Sequence, residues 1–365
     1  MTPEGSIRVL VVDDSAFARK VLRESLSLSP DIEVVGTARD GLEALEKIAE
    51  LRPDVVTLDL VMPNLDGLGV LRALALTHQE KEGPRVIVVS ISDAESALGV
   101  EALQTGAIDL VHKPTALATD RLYELAAELG AKVRAAARSK NPWPISPGAT
   151  LAGLESRDRL PSGPGSGPGS GLRSLVVTTR LVVIGTSTGG PQALTRLLTA
   201  LPGDFPCAVA VALHIPAGYT DALARRLDES CAVSVFEAHE GAELKPGSVA
   251  IARGGVHLRV TEREGQIFAR VDPNPLTAPH SPSVDELFRS AATALGSAVL
   301  GVVLTGMGSD GLEGARAIRG AGGRILTESE GSCVVFGMPR VVLEAGLSTE
   351  QSSVDEMVNT ILRNL

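Results

Sequence analysis

The stretch LVVIGTSTGGPQAL (Leu181–Leu194) decides how this chain is read. It opens as an apolar, strand-like run. Gly185, Thr186, Ser187, Thr188, Gly189 and Gly190 then turn the chain, and a helical pattern starts at Pro191. A glycine-rich strand–turn–helix suits two chemistries. Helix N-termini attract anions, so the loop could cradle a phosphate. A serine held up at a sharp turn could equally be a nucleophile. The stretch lacks the lysine of a P-loop, does not spell GxGxxG, and lacks the GxSxG spacing of a nucleophile elbow. By itself it leaves phosphate loop, nucleophile and plain turn open.

At 365 residues the chain has room for two domains. It is 44% hydrophobic but only 2% aromatic, so the core is built from Ala, Val, Leu and Ile, as in sheets covered on both faces. A net charge of −10 with no basic cluster argues against nucleic-acid binding. Cys207, Cys231 and Cys333 show no metal-type spacing and lie in apolar surroundings, which suits inert thiols of a reducing compartment. No signal peptide and no apolar run of membrane-span length are visible, so a cytoplasmic protein without membrane insertion is expected.

Residues 1–138 alternate β-branched runs (IRVLVV, IEVVGTA, DVVTLD, RVIVVS, AIDLV) with amphipathic helical patterns, the last around Ala118–Ala137. Five βα units predict a parallel, doubly wound α/β sheet. Residues 139–175, with SGPGSGPGSG at their centre, predict a flexible tether. Residues 176–365 return to α/β: RLVVIG, CAVAVALH, VSVFEA, SVAIA, AVLGVVLTG and GRILTE read as strands. VHLRVTEREGQIFARV alternates about Glu264–Gly265 and predicts an antiparallel hairpin inserted in a mostly parallel sheet.

In the first domain Asp13 and Asp14 follow the first strand, Asp59 the third, Ser90 ends the fourth, and Lys113 lies past the fifth. Carboxyl ends of parallel strands share one crevice. Three carboxylates there repel one another, which a hard cation such as Mg²⁺ relieves. Metal then neutralises charge during phosphoryl transfer to a carboxylate. Any one of these aspartates could merely cap a helix; the set of five residues argues otherwise. On VVDDS, LDLVMPNLDG, VVS and HKP, residues 7–130 resemble a response-regulator receiver domain of flavodoxin-like fold. The resemblance implies Asp59 as phosphoacceptor, Asp13, Asp14 and Asp59 as Mg²⁺ ligands, and Ser90 and Lys113 as switch residues. Leu110 stands where many receivers carry an aromatic switch residue, and Val61, two residues after Asp59, is a second departure.

In the second domain two further strand ends bear on Ser187. CAVAVALHIPAGYT delivers His214, and AVLGVVLTGMGSDG delivers Asp310 on a glycine-studded loop. Serine, histidine and aspartate that each follow a strand can meet in one crevice, as nucleophilic acyl transfer requires. The order Ser…His…Asp differs from that of α/β-hydrolases. Taken singly, His214 also fits a core histidine and Asp310 a turn residue, and His239, His257 and His280 compete for the base. His280 could line the cleft. Oxyanion donors, worth about 3 kcal/mol each, are expected from backbone N–H groups near Thr188 and Met307. On IGTSTGGPQAL, HIPAGYT, HSPSVDELF, LTGMGSDG and SCVVFGMPR, residues 178–365 resemble the catalytic domain of the chemotaxis protein-glutamate methylesterase (CheB) family.

That resemblance implies a Ser187–His214–Asp310 hydrolase, with Thr188 and Met307 near the oxyanion and no cofactor for ester hydrolysis. Its substrate would be glutamate γ-methyl esters on methyl-accepting chemotaxis receptors, some members also deamidating glutamines. A receiver that docks over the cleft until a chemotaxis histidine kinase supplies the phosphoryl group is implied too. A monomer is expected. Arg253 departs from the proline usual in the family. Two rivals are a non-catalytic receptor-binding module and a DNA-binding regulator; the second lacks a basic recognition helix.

Overall fold

A computed structural model describes residues 5–77, 83–90, 96–113, 119–139, 179–272 and 280–365. The expected tether lies almost wholly outside these residues. Among them the first sheet contains β1 (Ile7–Val12), β2 (Ile32–Ala38), β3 (Val55–Leu58), β4 (Arg85–Ser90) and β5 (Asp109–His112). All are parallel, in the order β2-β1-β3-β4-β5. Its strands are apolar on both faces because helices cover both. Helices α1 (Ala16–Ser27) and α5 (Thr119–Ala137) bury Leu22, Leu26, Leu129 and Val133 on one side. The other side packs against α2 (Gly41–Leu51), α3 (Gly67–Thr77) and α4 (Ser96–Thr105) through Ile48, Leu71 and Leu103.

The second sheet joins β6 (Leu181–Thr186), β7 (Ala208–Leu213), β8 (Ser234–Glu237), β9 (Ser248–Ile251), β12 (Val299–Val303), β13 (Arg324–Glu328) and β14 (Glu350–Ser352). Their order is β14-β13-β12-β6-β7-β9-β8, and every pairing is parallel. Helices α6 (Gly190–Thr199), α7 (Thr220–Asp228) and α11 (Met357–Arg363) line one face; α8 (Val284–Leu295), α9 (Leu312–Gly320) and α10 (Met338–Glu344) line the other.

The antiparallel hairpin exists as β10 (His257–Arg263) and β11 (Gln266–Asp272), turning at Glu264 and Gly265, both with positive φ. It is not inserted into the parallel sheet. It forms a separate two-stranded ribbon, and Leu258, Val260, Ile267 and Ala269 bury one of its faces in the α8 side of the core.

The two domains meet along α4 and β5 of the first and α6 and α7 of the second, and one apolar cluster runs continuously across the junction. Gly99 of α4 lies so close to the Tyr219 ring that a Cβ there would approach Cε1 to 2.4 Å. Among the described residues no helix is long and apolar enough to cross a membrane. Phe288 is fully buried where α8 covers β12, so Phe288→Ala is expected to cost about 3–5 kcal/mol of stability, measured by denaturant unfolding.

Candidate functional site

In the second sheet the strand order reverses about β6, with β7 on one flank and β12 on the other. Ligand crevices form at such a switch point, outside the carboxyl ends of the strands. Thr186 pairs with Leu213, so the next residues, Ser187 and His214, leave the sheet side by side. The His214 N–H donates to the Thr186 carbonyl at 3.1 Å, and the Ser187 N–H donates across the other flank to the Thr305 carbonyl, also 3.1 Å. Gly306 is pressed against Ser187: a Cβ there would lie 2.9 Å from Ser187 Cβ. This contact sets the approach of the Met307 loop, and Met307 itself is half-buried.

Asp310 reaches His214 by a longer route. Its Oδ2 is 2.8 Å from His214 Nε2 and accepts the Val284 N–H at 2.8 Å; its Oδ1 accepts the Asp285 N–H at 2.9 Å and the Ser283 hydroxyl at 3.0 Å. The carboxylate thus sits on the N-terminus of α8, where N–H groups point outward and the helix dipole favours an anion. Asp285 returns the favour at the start of α9, its Oδ1 accepting from Gly311 and Gly314. Burial works to raise the Asp310 pKa, but the hydrogen bond and charge of His214, with the Asp285 and Val284 N–H groups, outweigh it and hold it down at about 2.

Of the competing histidines, His280 stacks on the His214 ring with centroids 4.2 Å apart. The crowded cleft, then the nearby His214 ring, lower its pKa. His257 is fully buried and accepts the Ser283 N–H at 3.2 Å, steadying the start of α8. His239 is exposed, on Glu240. The His214–Asp310 arm is therefore formed, whereas among the described residues no hydrogen bond joins Ser187 Oγ to His214. Such bonds often tighten only when substrate is bound. With Nε2 on Asp310, the nitrogen left to face a nucleophile is Nδ1.

Thr188 is buried, and its hydroxyl donates across the domain junction to Asp109 Oδ2 at 2.6 Å. Asp109 Oδ1 pairs with Lys132 of α5 at 3.0 Å, and Lys132 also reaches Glu128. The Gly189 N–H donates to the Ile108 carbonyl at 3.3 Å, while Gln192 Nε2 donates to the carbonyls of Leu103, at 3.1 Å, and Ala107. The serine loop is thus bonded to the first domain at three places. None of these partners was found by sequence reasoning, since each lies at a remote chain position.

In the first sheet, Asp13, Asp14 and Asp59 bring carboxylate oxygens within 4.8 Å of one another at the β1–β3 switch point. Lys113 Nζ lies 2.5 Å from Asp13 and 2.8 Å from Asp59. Burial raises the Asp59 pKa to about 6 against the pull of Lys113, with Asp13 adding to the rise. Ser90 is fully buried, and its carbonyl accepts the Lys113 N–H at 2.7 Å. Leu110 is buried, whereas Val61 and Arg253 are exposed; Arg253 Nε is 3.8 Å from Glu237.

Comparison with known proteins bears on both crevices. Residues 182–361 match the family model described as CheB methylesterase, and residues 9–126 the one described as response regulator receiver domain. A protein-glutamate methylesterase/protein-glutamine glutaminase of Myxococcus xanthus (strain DK1622) is 58% identical over the full length of both chains. The chain belongs to the CheB methylesterase family. A Symbiobacterium thermophilum relative bearing the same enzyme name is 43% identical over 98% of this chain and 96% of its own. The Thermotoga maritima CheB methylesterase catalytic domain, a solved structure, matches 52% of this chain and all of its own at 38% identity, with a TM-score of 0.50. As a member of that family, the protein is a chemotaxis methylesterase under the control of a receiver.

Because the folded state holds Asp310 near 2, below the usual carboxylate value, its ionised form stabilises the fold above about pH 4. That contribution is lost as pH falls through 2. The stability gap between wild type and Asp310→Asn, from urea unfolding, is expected to be widest above pH 4 and to narrow at pH 3.

Proposed function

We propose that this CheB hydrolyses glutamate γ-methyl esters on methyl-accepting chemotaxis receptors through a serine acyl-enzyme. The observation that carries the reading is the 2.8 Å His214–Asp310 bond at the strand end beside Ser187. Ser187 Oγ attacks the ester carbonyl as His214 takes its proton. The tetrahedral oxygen is met by backbone N–H groups near Thr188 and Met307. The intermediate collapses, and methanol leaves with the proton returned by His214. Water, deprotonated by His214, then cleaves the Ser187 ester to give the glutamate carboxylate and restore the serine. Asp310, kept ionised by α8, stabilises the imidazolium throughout. The same cycle on a receptor glutamine expels ammonia in place of methanol.

The receiver half takes its phosphoryl group from a chemotaxis histidine kinase in the cytoplasm. Asp13, Asp14 and Asp59 offer the hard oxygen donors that suit Mg²⁺. Bound there, Mg²⁺ would neutralise charge on the transferring phosphoryl group. Asp59 is the nucleophile towards phosphorus, and Lys113, already paired with it, is in place to follow the new oxygens. Ser90, beside the same pocket at the end of β4, completes the switch. Docking of the receiver on the serine loop explains control: Thr188, Gly189 and Gln192 are held by Asp109, Ile108 and Leu103 until the phosphorylated receiver repacks and lets go. A monomer suffices for this scheme.

Methanol release from methylated receptor fragments tests the reading, with and without a small phosphodonor and Mg²⁺. Ser187→Ala should abolish nearly all turnover, whereas a mere receptor-binding module would keep its function. Asp59→Asn should keep basal turnover but lose its stimulation by phosphodonor. Gln192→Ala removes two hydrogen bonds across the junction, worth about 1 kcal/mol each. It should raise turnover of the unphosphorylated protein by up to about thirtyfold by the same arithmetic and leave the stimulated rate nearly unchanged.

A further inference from the structure

The carboxylate of Glu328, at the end of β13, is buried to 1% exposure and takes no part in the chemistry above. Its Oε2 accepts the Thr305 N–H at 2.8 Å, and its Oε1 accepts the Ser332 hydroxyl at 2.9 Å. Burial raises its pKa above the ordinary value; the Thr305 N–H, Ser332, Cys333 and the charge of Arg196 on α6 pull the other way.

Thr305 is what gives this carboxylate leverage. Its carbonyl accepts the Ser187 N–H at 3.1 Å and the Thr186 hydroxyl at 2.7 Å. Its hydroxyl donates to the Thr188 carbonyl at 3.0 Å and accepts the Val335 N–H at 2.9 Å. One residue therefore holds three consecutive residues of the serine loop. The ladder between β12 and β13 ends with Val303 opposite Thr327, so the Thr305 peptide has left the sheet. Thr305 is nonetheless buried to 1% exposure, and a buried N–H without an acceptor is costly. The Glu328 side chain supplies the oxygen that the strand no longer offers.

We propose that Glu328 is a positioning residue for the nucleophile, its carboxylate anchoring the Thr305 peptide and, through it, the loop that carries Ser187. The inference rests on the serine reading above. The bond chain runs from Glu328 through the Thr305 peptide to the Ser187 N–H, so the carboxylate acts on the loop that carries the nucleophile. Loss of the anchor should therefore slow attack and leave substrate binding alone.

The test uses the full-length protein, saturated with phosphodonor and Mg²⁺, and follows methanol release from methylated receptor fragments alongside fluorophosphonate labelling of Ser187. Glu328→Leu is expected to lower kcat about 30-fold, the equivalent of one unsatisfied buried N–H, with KM unchanged and labelling slowed in parallel. Glu328→Gln, whose amide oxygen can still accept the Thr305 N–H, should restore kcat to within about threefold of wild type. Ser332→Ala frees one carboxylate oxygen without emptying the site and should lower kcat roughly fivefold by loss of one hydrogen bond. A folded Glu328→Leu with wild-type kcat overturns the inference, as does a Gln variant as slow as Leu or a change confined to KM. If the Leu variant does not fold, wild-type kcat in Ser332→Ala has the same force. Ser187→Ala run in parallel separates the two readings: turnover there sinks the serine mechanism itself, whereas its silence beside a fully active Glu328→Leu sinks only the role of Glu328.

Discussion

When three neighbouring parallel strands end at the same level, their peptide groups lose the ladder together and must find new partners or stay unsatisfied. At the ends of β12, β6 and β7 the substitutes are short and mutual. Leu304 N–H goes to the Gly185 carbonyl, Ser187 N–H to Thr305 and His214 N–H to Thr186. These bonds close the top of the sheet, and they also fix where the serine and histidine side chains begin. The chemistry thus inherits its geometry from the need to terminate a sheet cleanly. Gly306, with no room for a Cβ against Ser187, shows how closely the strand ends are drawn together.

Asp310 cannot be placed that way, because its loop has already run well past β12. It is captured by the N-terminus of α8, which gives it two N–H donors and the Ser283 hydroxyl, while Asp285 of the same helix secures the start of α9. The two helices exchange carboxylates at their positive ends, and each anion satisfies donors that would otherwise need water. A carboxylate so well supplied stays ionised although buried, which is the property required of a group that must steady an imidazolium.

The βα rhythm of both halves was legible because covered parallel strands are continuous apolar runs and their helices keep a 3.6-residue stripe. Asp59 and His214 could be picked out because each stands where such a run stops, and Asp310 because the glycine-studded loop that follows such a run carries it. Less was legible wherever a role depends on distant partners. Glu350–Ser352 is too short and polar to announce a strand, yet it pairs with β13 at the sheet edge. The hairpin was visible from its alternation, but not that it packs as a separate layer. Nothing in the sequence around Thr305 or Asp109 marks either residue. Their partners, Glu328, Lys132 and Thr188, are far off in the chain, and only packing brings them together.

The fifth strand of the receiver carries Asp109 at one end and leads to Lys113 at the other, a span of about 13 Å at strand rise. One end touches the acidic crevice at Asp59 and the other grips the serine loop of the neighbouring domain. A single strand therefore runs from the acidic crevice to the domain junction. The four residues of β5 thus serve the first domain as a sheet edge and the second as a seat for its serine loop.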